Sequence, residues 1–151
     1  MTPEGNACRQ LIREALRKYD LPGSDAAVRL LEMIAAHESG GFTYSRQLGG
    51  PALSLFQIEP ATYRDLCDYA SSRYLAICHE FPRNPMRLVF DPCFAAGMAR
   101  VFFLRFPEPL PDRDDITALA EYAKYRWNTA LGKATPQQYE TAWRRYYEDH
   151  P

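Results

Sequence analysis

The chain has 151 residues, 46% of them hydrophobic and 13% aromatic, with a formal net charge of −1 at pH 7. This is enough for one compact domain burying roughly two-thirds of its unfolded surface, so a single domain spanning 1–151 is expected. The near-neutral balance excludes the strongly basic face of a nucleic-acid-binding protein, and no apolar run reaches the length of a membrane span.

Helix signals dominate the chain. Thr2 and Pro3 have the form of an N-cap and a first helical residue, and Leu11, Ile12, Ala15, Leu16 and Tyr19 make an apolar stripe that ends at Leu21-Pro22-Gly23. Ahead of it, Met1 to Asn6 lacks a basic region followed by a hydrophobic one, so no secretory signal is expected. Ser24 or Asp25 caps the next helix, with Val28, Leu31, Ile34 and Ala35 facing inward. Residues 42–58 read as a loop with a small hairpin at most, and a loop of that length in a compact domain is usually functional.

Pro60 opens a helix through Tyr63, Leu66, Cys67 and Ala70, which breaks near Ser71-Ser72. A second helical segment carries Tyr74, Leu75, Ile77, Cys78 and Phe81 and stops at Pro82, and Arg83-Asn84-Pro85 is a turn. Asp91-Pro92 starts a helix through Phe94, Ala95, Met98, Val101, Phe102 and Arg105, ended by Pro107, Pro109 and Pro111. Asp112, Asp114 or Asp115 caps the following helix, which buries Ile116, Leu119, Ala120 and Ala123. Thr135-Pro136-Gln137-Gln138 has the form of a capping box, and Tyr139, Ala142, Trp143, Tyr146 and Tyr147 line one face of the last helix. Strand signal is confined to residues 38–58, so the fold class is mainly α.

Cys8, Cys67, Cys78 and Cys93 are widely spaced with no Cys-x-x-Cys pair, and buried thiols are expected, although four cysteines allow three disulfide pairings. Cys78, His79 and Cys93 fit no zinc spacing, and neither a metal nor another cofactor is expected.

The chemistry-bearing residue is Glu38. It follows Leu31 and Ile34 at helical spacing, which continues the apolar face, and Gly40-Gly41 ends the helix just beyond it. Desolvation and the negative end of the helix dipole would both raise the pKa of a carboxyl group held there, as a general acid requires. From spacing alone the same pattern fits a helix-end carboxylate that rotates into water. His37, adjacent on the helix, points elsewhere and is read as structural or surface-exposed.

After Glu38-Ser39 and a glycine-containing loop comes Ser54-Leu55-Phe56-Gln57-Ile58-Glu59-Pro60-Ala61-Thr62. This pair of blocks resembles the signature of soluble lytic transglycosylases and goose-type lysozymes, in the lysozyme-like superfamily, with Ser54 where that family usually has Gly. Asp91-Pro92-Cys93-Phe94-Ala95-Ala96-Gly97 is similar to a degraded form of a further block of the family, with Cys93 in place of Asn. Ala123-Lys124-Tyr125-Arg126-Trp127-Asn128, followed by Gly132, is similar to the block that lines the sugar groove opposite the catalytic Glu, with Trp127 in place of Tyr. The matching blocks run from about residue 30 to 135 in the family's order.

The resemblance implies a lysozyme-like helical domain with at most a small β-hairpin beside the active site. It implies cleavage of the bond between N-acetylmuramic acid and N-acetylglucosamine in peptidoglycan glycan strands, with Glu38 as acid and then base and a 1,6-anhydro product. Gln57 and Asn128 would contact substrate amides from opposite walls and Ser39 would join them, while Phe56, Tyr125 and Trp127 either stack on sugars or pack in the core. Glu59, just before Pro60, reads as a helix-start residue; facing the cleft, it would be a second carboxylate able to activate water, giving a hydrolysing lysozyme. An inactive wall-binding or virion structural protein with the same fold is the alternative from another class. The small size, the lack of a signal and the block from Thr129 to Thr135 look most like phage or prophage members. That implies synthesis in the cytoplasm and action on the periplasmic cell wall after delivery in a phage particle, lysis-associated release or export by a secretion apparatus.

Overall fold

The computed structural model describes residues 1–79 and 84–149. The expected stop at Pro82, with Phe81 and Arg83 beside it, lies outside the described residues. The fold is mainly α: α1 (Pro3–Lys18), α2 (Asp25–Glu38), α3 (Pro60–Ala70), α4 (Leu75–Cys78), α5 (Arg87–Phe90), α6 (Pro92–Leu104), α7 (Ile116–Ala123), a π-helical turn (Lys124–Asn128) and α8 (Pro136–Tyr147). Most helix starts follow from local chemistry. The side chains of Thr2, Ser24, Asp91, Asp115 and Thr135 each accept a backbone N–H of the first turn, and Thr135 with Gln138 completes a capping box.

α2 and α6 form the centre. In α2 every residue from Leu30 to Ala36 is buried, and in α6 every residue from Phe94 to Val101, so each helix meets protein on nearly all sides. α1 packs on α2 and α6, while α2 also contacts α7 and α8, which pack on each other. Gly97 permits the close approach at α6, because a Cβ there would lie 2.8 Å from Ile77 Cδ1 and 2.9 Å from Tyr19 Cδ2.

One carboxylate is wholly enclosed in this core. Glu32 accepts bonds from Arg9 Nε at 2.5 Å, Arg9 Nη2 at 3.2 Å and the Trp143 indole at 2.9 Å, tying α1 and α8 to α2.

Three local features differ from the sequence expectation. The helical segment after Ser72 is a single turn, α4; a further single turn, α5, follows a turn that begins at Asn84; and α7 runs on into the π-helical turn. Between α2 and α3 the chain holds only isolated antiparallel bridges, Arg46 with Leu53 and Leu53 with Ile58. No disulfide joins the four cysteines, and no described helix is long and apolar enough to cross a membrane.

Candidate active site

Glu38 is the last residue of α2, and the turn after it decides where its side chain goes. Ser39 Oγ donates to Ala35 O at 2.5 Å and accepts from Phe42 N at 2.6 Å, while Gly40, Gly41 and Phe42 all have positive φ. Gly41 is needed for space as well as for its φ of 72°, since a Cβ there would lie 2.2 Å from the Tyr146 hydroxyl. Ser39, expected to touch substrate, is instead fully buried with its hydroxyl committed to this turn. Ala35 O also accepts the Ser39 backbone N–H at 3.1 Å, so backbone and side chain of the serine close the helix end on one carbonyl.

Half-buried Glu38 accepts a hydrogen bond from the Tyr139 hydroxyl at 2.5 Å. Burial pushes the carboxyl above its ordinary value of 4.5, and the Tyr139 bond opposes that rise. Tyr139 is itself buried beside the carboxylate, which pushes its phenol up and keeps it a donor. His37 rests its ring on Tyr139 with centroids 4.4 Å apart, and burial lowers its pKa from the ordinary 6.5, which disfavours a positive charge beside Glu38.

Glu38 opens into a cavity of about 490 Å³ lined also by Tyr44, Gln47, Leu48, Ala52, Gln57, Glu59 and Asn128. A second cavity of about 260 Å³, lined by Gln57, Ile58, Glu59, Thr62, Phe102 and Trp127, shares Gln57 and Glu59 with the first. The two therefore adjoin as a groove. A third cavity, about 450 Å³, lies between α2 and α8 with His37, Gln137 and Arg145 in its wall and no carboxylate.

Gln57 sits at a bend with φ 56°, its backbone N–H and Nε2 donating to Ser54 O at 3.1 and 2.7 Å. Ser54 has φ 74°, a left-handed conformation that costs a residue with a Cβ about 1–2 kcal/mol. Its Oγ accepts from Phe56 N at 3.2 Å, and its N–H donates to Ser45 O at 2.7 Å, which hold the bend against that cost. Phe56, a candidate sugar platform, has no exposure and belongs to the core, because the same bend that turns Gln57 outward turns its neighbour in. Glu59 occupies the N-cap position of α3 without a side-chain capping bond, is exposed, and lines both cavities. It is a helix-start residue and a second carboxylate in the cleft at once.

On the opposite wall, Asn128 ends the π-helical turn with its Oδ1 2.7 Å from Lys124 Nζ. Trp127 packs on Phe102 and Phe103, with centroids 4.6 and 5.4 Å away, and keeps part of its surface in the second cavity. Tyr125 is 58% exposed and lines neither groove cavity, since successive residues of a helical turn point in different directions.

The structure thus brings together Glu38, Gln57, Glu59, Asn128 and, in the adjoining cavity, Trp127; it leaves Ser39, Phe56 and Tyr125 out. Tyr139, Lys124 and Gln47 were not foreseen as site residues. Tyr139 reads from sequence as one more aromatic of an apolar helix face, and nothing in its neighbours signals a partner 101 residues away. Among the described residues no group of three or more His, Cys, Asp or Glu could hold a metal ion. Comparison of the chain with protein-family models, with curated proteins and with solved structures gives no match.

Proposed function

We propose that this chain is a lytic transglycosylase that cleaves peptidoglycan glycan strands, the activity implied by its resemblance to the soluble lytic transglycosylases and goose-type lysozymes. The observation that carries the reading is Glu38: a carboxyl raised by burial, fixed by Tyr139, and opening into a groove walled by amide side chains. A carboxylic acid whose proton is held more tightly than usual by burial can deliver it to the glycosidic oxygen as the C1–O4 bond breaks. The resulting Glu38 carboxylate then takes the proton of the muramoyl C6 hydroxyl as O6 bonds to C1. Glu38 is restored, one glycosidic bond is exchanged for another, and no water is consumed. The half-buried setting of Glu38 supports this scheme, because burial favours the protonated carboxyl that the first step needs.

A second reading, hydrolysis, is favoured by one observation: Glu59 lines the same cavity as Glu38. There Glu59 would activate a water on the face of the sugar away from Glu38, the arrangement of an inverting glycosidase. Glu59 is exposed, on the side of the cleft from which such a water would come.

Mass spectrometry of fragments released from purified peptidoglycan separates these readings. Anhydro-muramoyl ends from wild type and from Glu59→Gln, absent with Glu38→Gln, are the expected result. Reducing ends, one water heavier and lost with Glu59→Gln, would replace transglycosylation by hydrolysis. Release equal in wild type and Glu38→Gln would refute Glu38 as the acid, and release from neither would favour a wall-binding protein of the same fold.

A further inference from the structure

We propose that the cavity between the end of α2 and α8 is a second binding site, separate from the groove, and that it takes the carboxylate of a small organic acid or of a peptide chain end. The cavity holds about 450 Å³, more than a lone anion fills, and shares no lining residue with either groove cavity. One wall is a stripe of α8: Thr141, Ala142 and Arg145 lie three, four and seven residues on from Gln138 and so stack with it on one helix face. The facing wall is Ala36, His37 and the glycine turn that ends α2. Gly41 contributes no side chain, and a Cβ there would enter the space of the Tyr146 hydroxyl. The site lies behind the groove, since His37 stacks on Tyr139, whose hydroxyl holds Glu38.

Charge gives the cavity its sign. Arg145 is the one permanently charged residue in its lining, and no carboxylate accompanies it. Arg144, next to it in sequence, is held by Glu140 at 2.8 Å and by Glu148, four residues away on each side. Arg145 is exposed and has no carboxylate partner among the described residues; its guanidinium carbon lies over the Tyr146 ring, 5.4 Å from the centroid. The acid four residues on, Asp149, instead meets the Met1 amino group at 2.7 Å.

Neutral donors surround this cation. Gln138 Oε1 accepts from Thr135 N at 2.9 Å, which leaves Nε2 with its two hydrogens. The Thr141 hydroxyl, between Gln138 and Arg145 on the stripe, adds a further donor. Ala36, Ala142 and the Tyr146 ring make the apolar part of the lining. One guanidinium among neutral donors balances one negative charge, and its planar fork fits the two oxygens of a carboxylate whose apolar body lies against the alanines. A phosphate dianion would bring twice that charge to the same single cation.

His37 supplies a local reporter, because its ring lines this cavity and it is one of only three histidines in the chain. The test is titration of the full chain with N-acetyl-alanyl-alanine, with the C-terminal amide of that dipeptide and with propionate, read by calorimetry and by the imidazole NMR signals. The dipeptide acid should move the signals of His37, leave those of His79 at the end of α4 in place, and bind about tenfold or more tighter than the amide. Arg145→Gln should abolish that preference without changing the affinity of the amide. Thr141→Val should weaken the acid by about threefold or more. Both positions are exposed, so the two variants should melt within about 2 °C of wild type.

Propionate binding at least as tightly as the dipeptide acid would support the proposal with a free small acid as ligand, and tighter binding of the dipeptide would support it with a chain end. Equal affinity of acid and amide, binding by no probe, unmoved His37 signals, or a preference for the acid kept in Arg145→Gln would overturn it.

Discussion

Replacing Tyr139 by Phe removes one hydroxyl at almost constant ring volume and tests how the protein holds Glu38. The lost bond is the 2.5 Å contact from the phenol to Glu38 Oε1. While Glu38 is ionised the bond is charge-assisted, contributing about 1.5–3 kcal/mol; once Glu38 is protonated it is a neutral bond contributing about 0.5–1.5 kcal/mol. The sign of the pH dependence follows from the direction of the shift. Burial raises the folded-state value of Glu38 above 4.5, so its contribution to stability is complete below 4.5 and is lost as pH rises through the folded value. The Tyr139 bond opposes that loss, and without it the folded value moves higher still. The destabilisation by Tyr139→Phe should therefore be greater at about pH 8 than at about pH 4, by about 1–1.5 kcal/mol, or roughly 2–6 °C for a chain of this size. Protonation of Glu38 in the variant caps the difference. Circular dichroism melts at the two pH values measure it, and the basic limb of the pH–rate profile for glycan cleavage should move upward in the variant. Equal deficits at both pH values, or an unmoved basic limb, would refute the role given to Tyr139.

Other variants probe the rest of the framework. Glu38→Gln should abolish fragment release yet melt above wild type near neutral pH, the two proteins converging below pH 4.5, because the substitution removes a charge that burial disfavours; melts that coincide near neutral pH would contradict that desolvation. Glu32→Ala leaves the Arg9 guanidinium and the buried Trp143 indole without their shared acceptor and should cost about 3–5 kcal/mol in urea unfolding, whereas a loss below about 1 kcal/mol would mean the cluster contributes little. At Ser54, φ 74° predicts that Ser54→Gly stays within about 1 kcal/mol of wild type, relieved strain offsetting the lost Oγ bond, while Ser54→Val falls at least about 2 kcal/mol below the glycine variant. Similar urea midpoints for those two variants would show that the bend is not strained.

Much of the helical framework is legible in the sequence because its causes are local. Thr2, Ser24, Asp91 and Thr135 are capping residues at the helix starts where the sequence places them, and the buried stripes of α1, α2, α7 and α8 recur at helical spacing. Glu38 falls at the end of an apolar helix for the same reason, and its raised pKa follows from the burial that this stripe implies. The single turns α4 and α5 and the π-helical turn are not legible in this way, since four or five residues are too few to show a period.

The tertiary structure alone decided which residues face the groove. Backbone at positive φ sends Gln57 outward and Phe56 inward from adjacent positions, and a helix-end turn commits Ser39 to the interior. Neither outcome can be read from residue type. The pairing of Glu38 with Tyr139 joins residues 101 positions apart, and the meeting of Asn128, Gln47 and Glu59 in one cavity depends on how α2, α3 and the π-helical turn pack. Period and capping act over a few residues along the chain, whereas a site is made by side chains that meet through space, and only the packed core fixes which of them do.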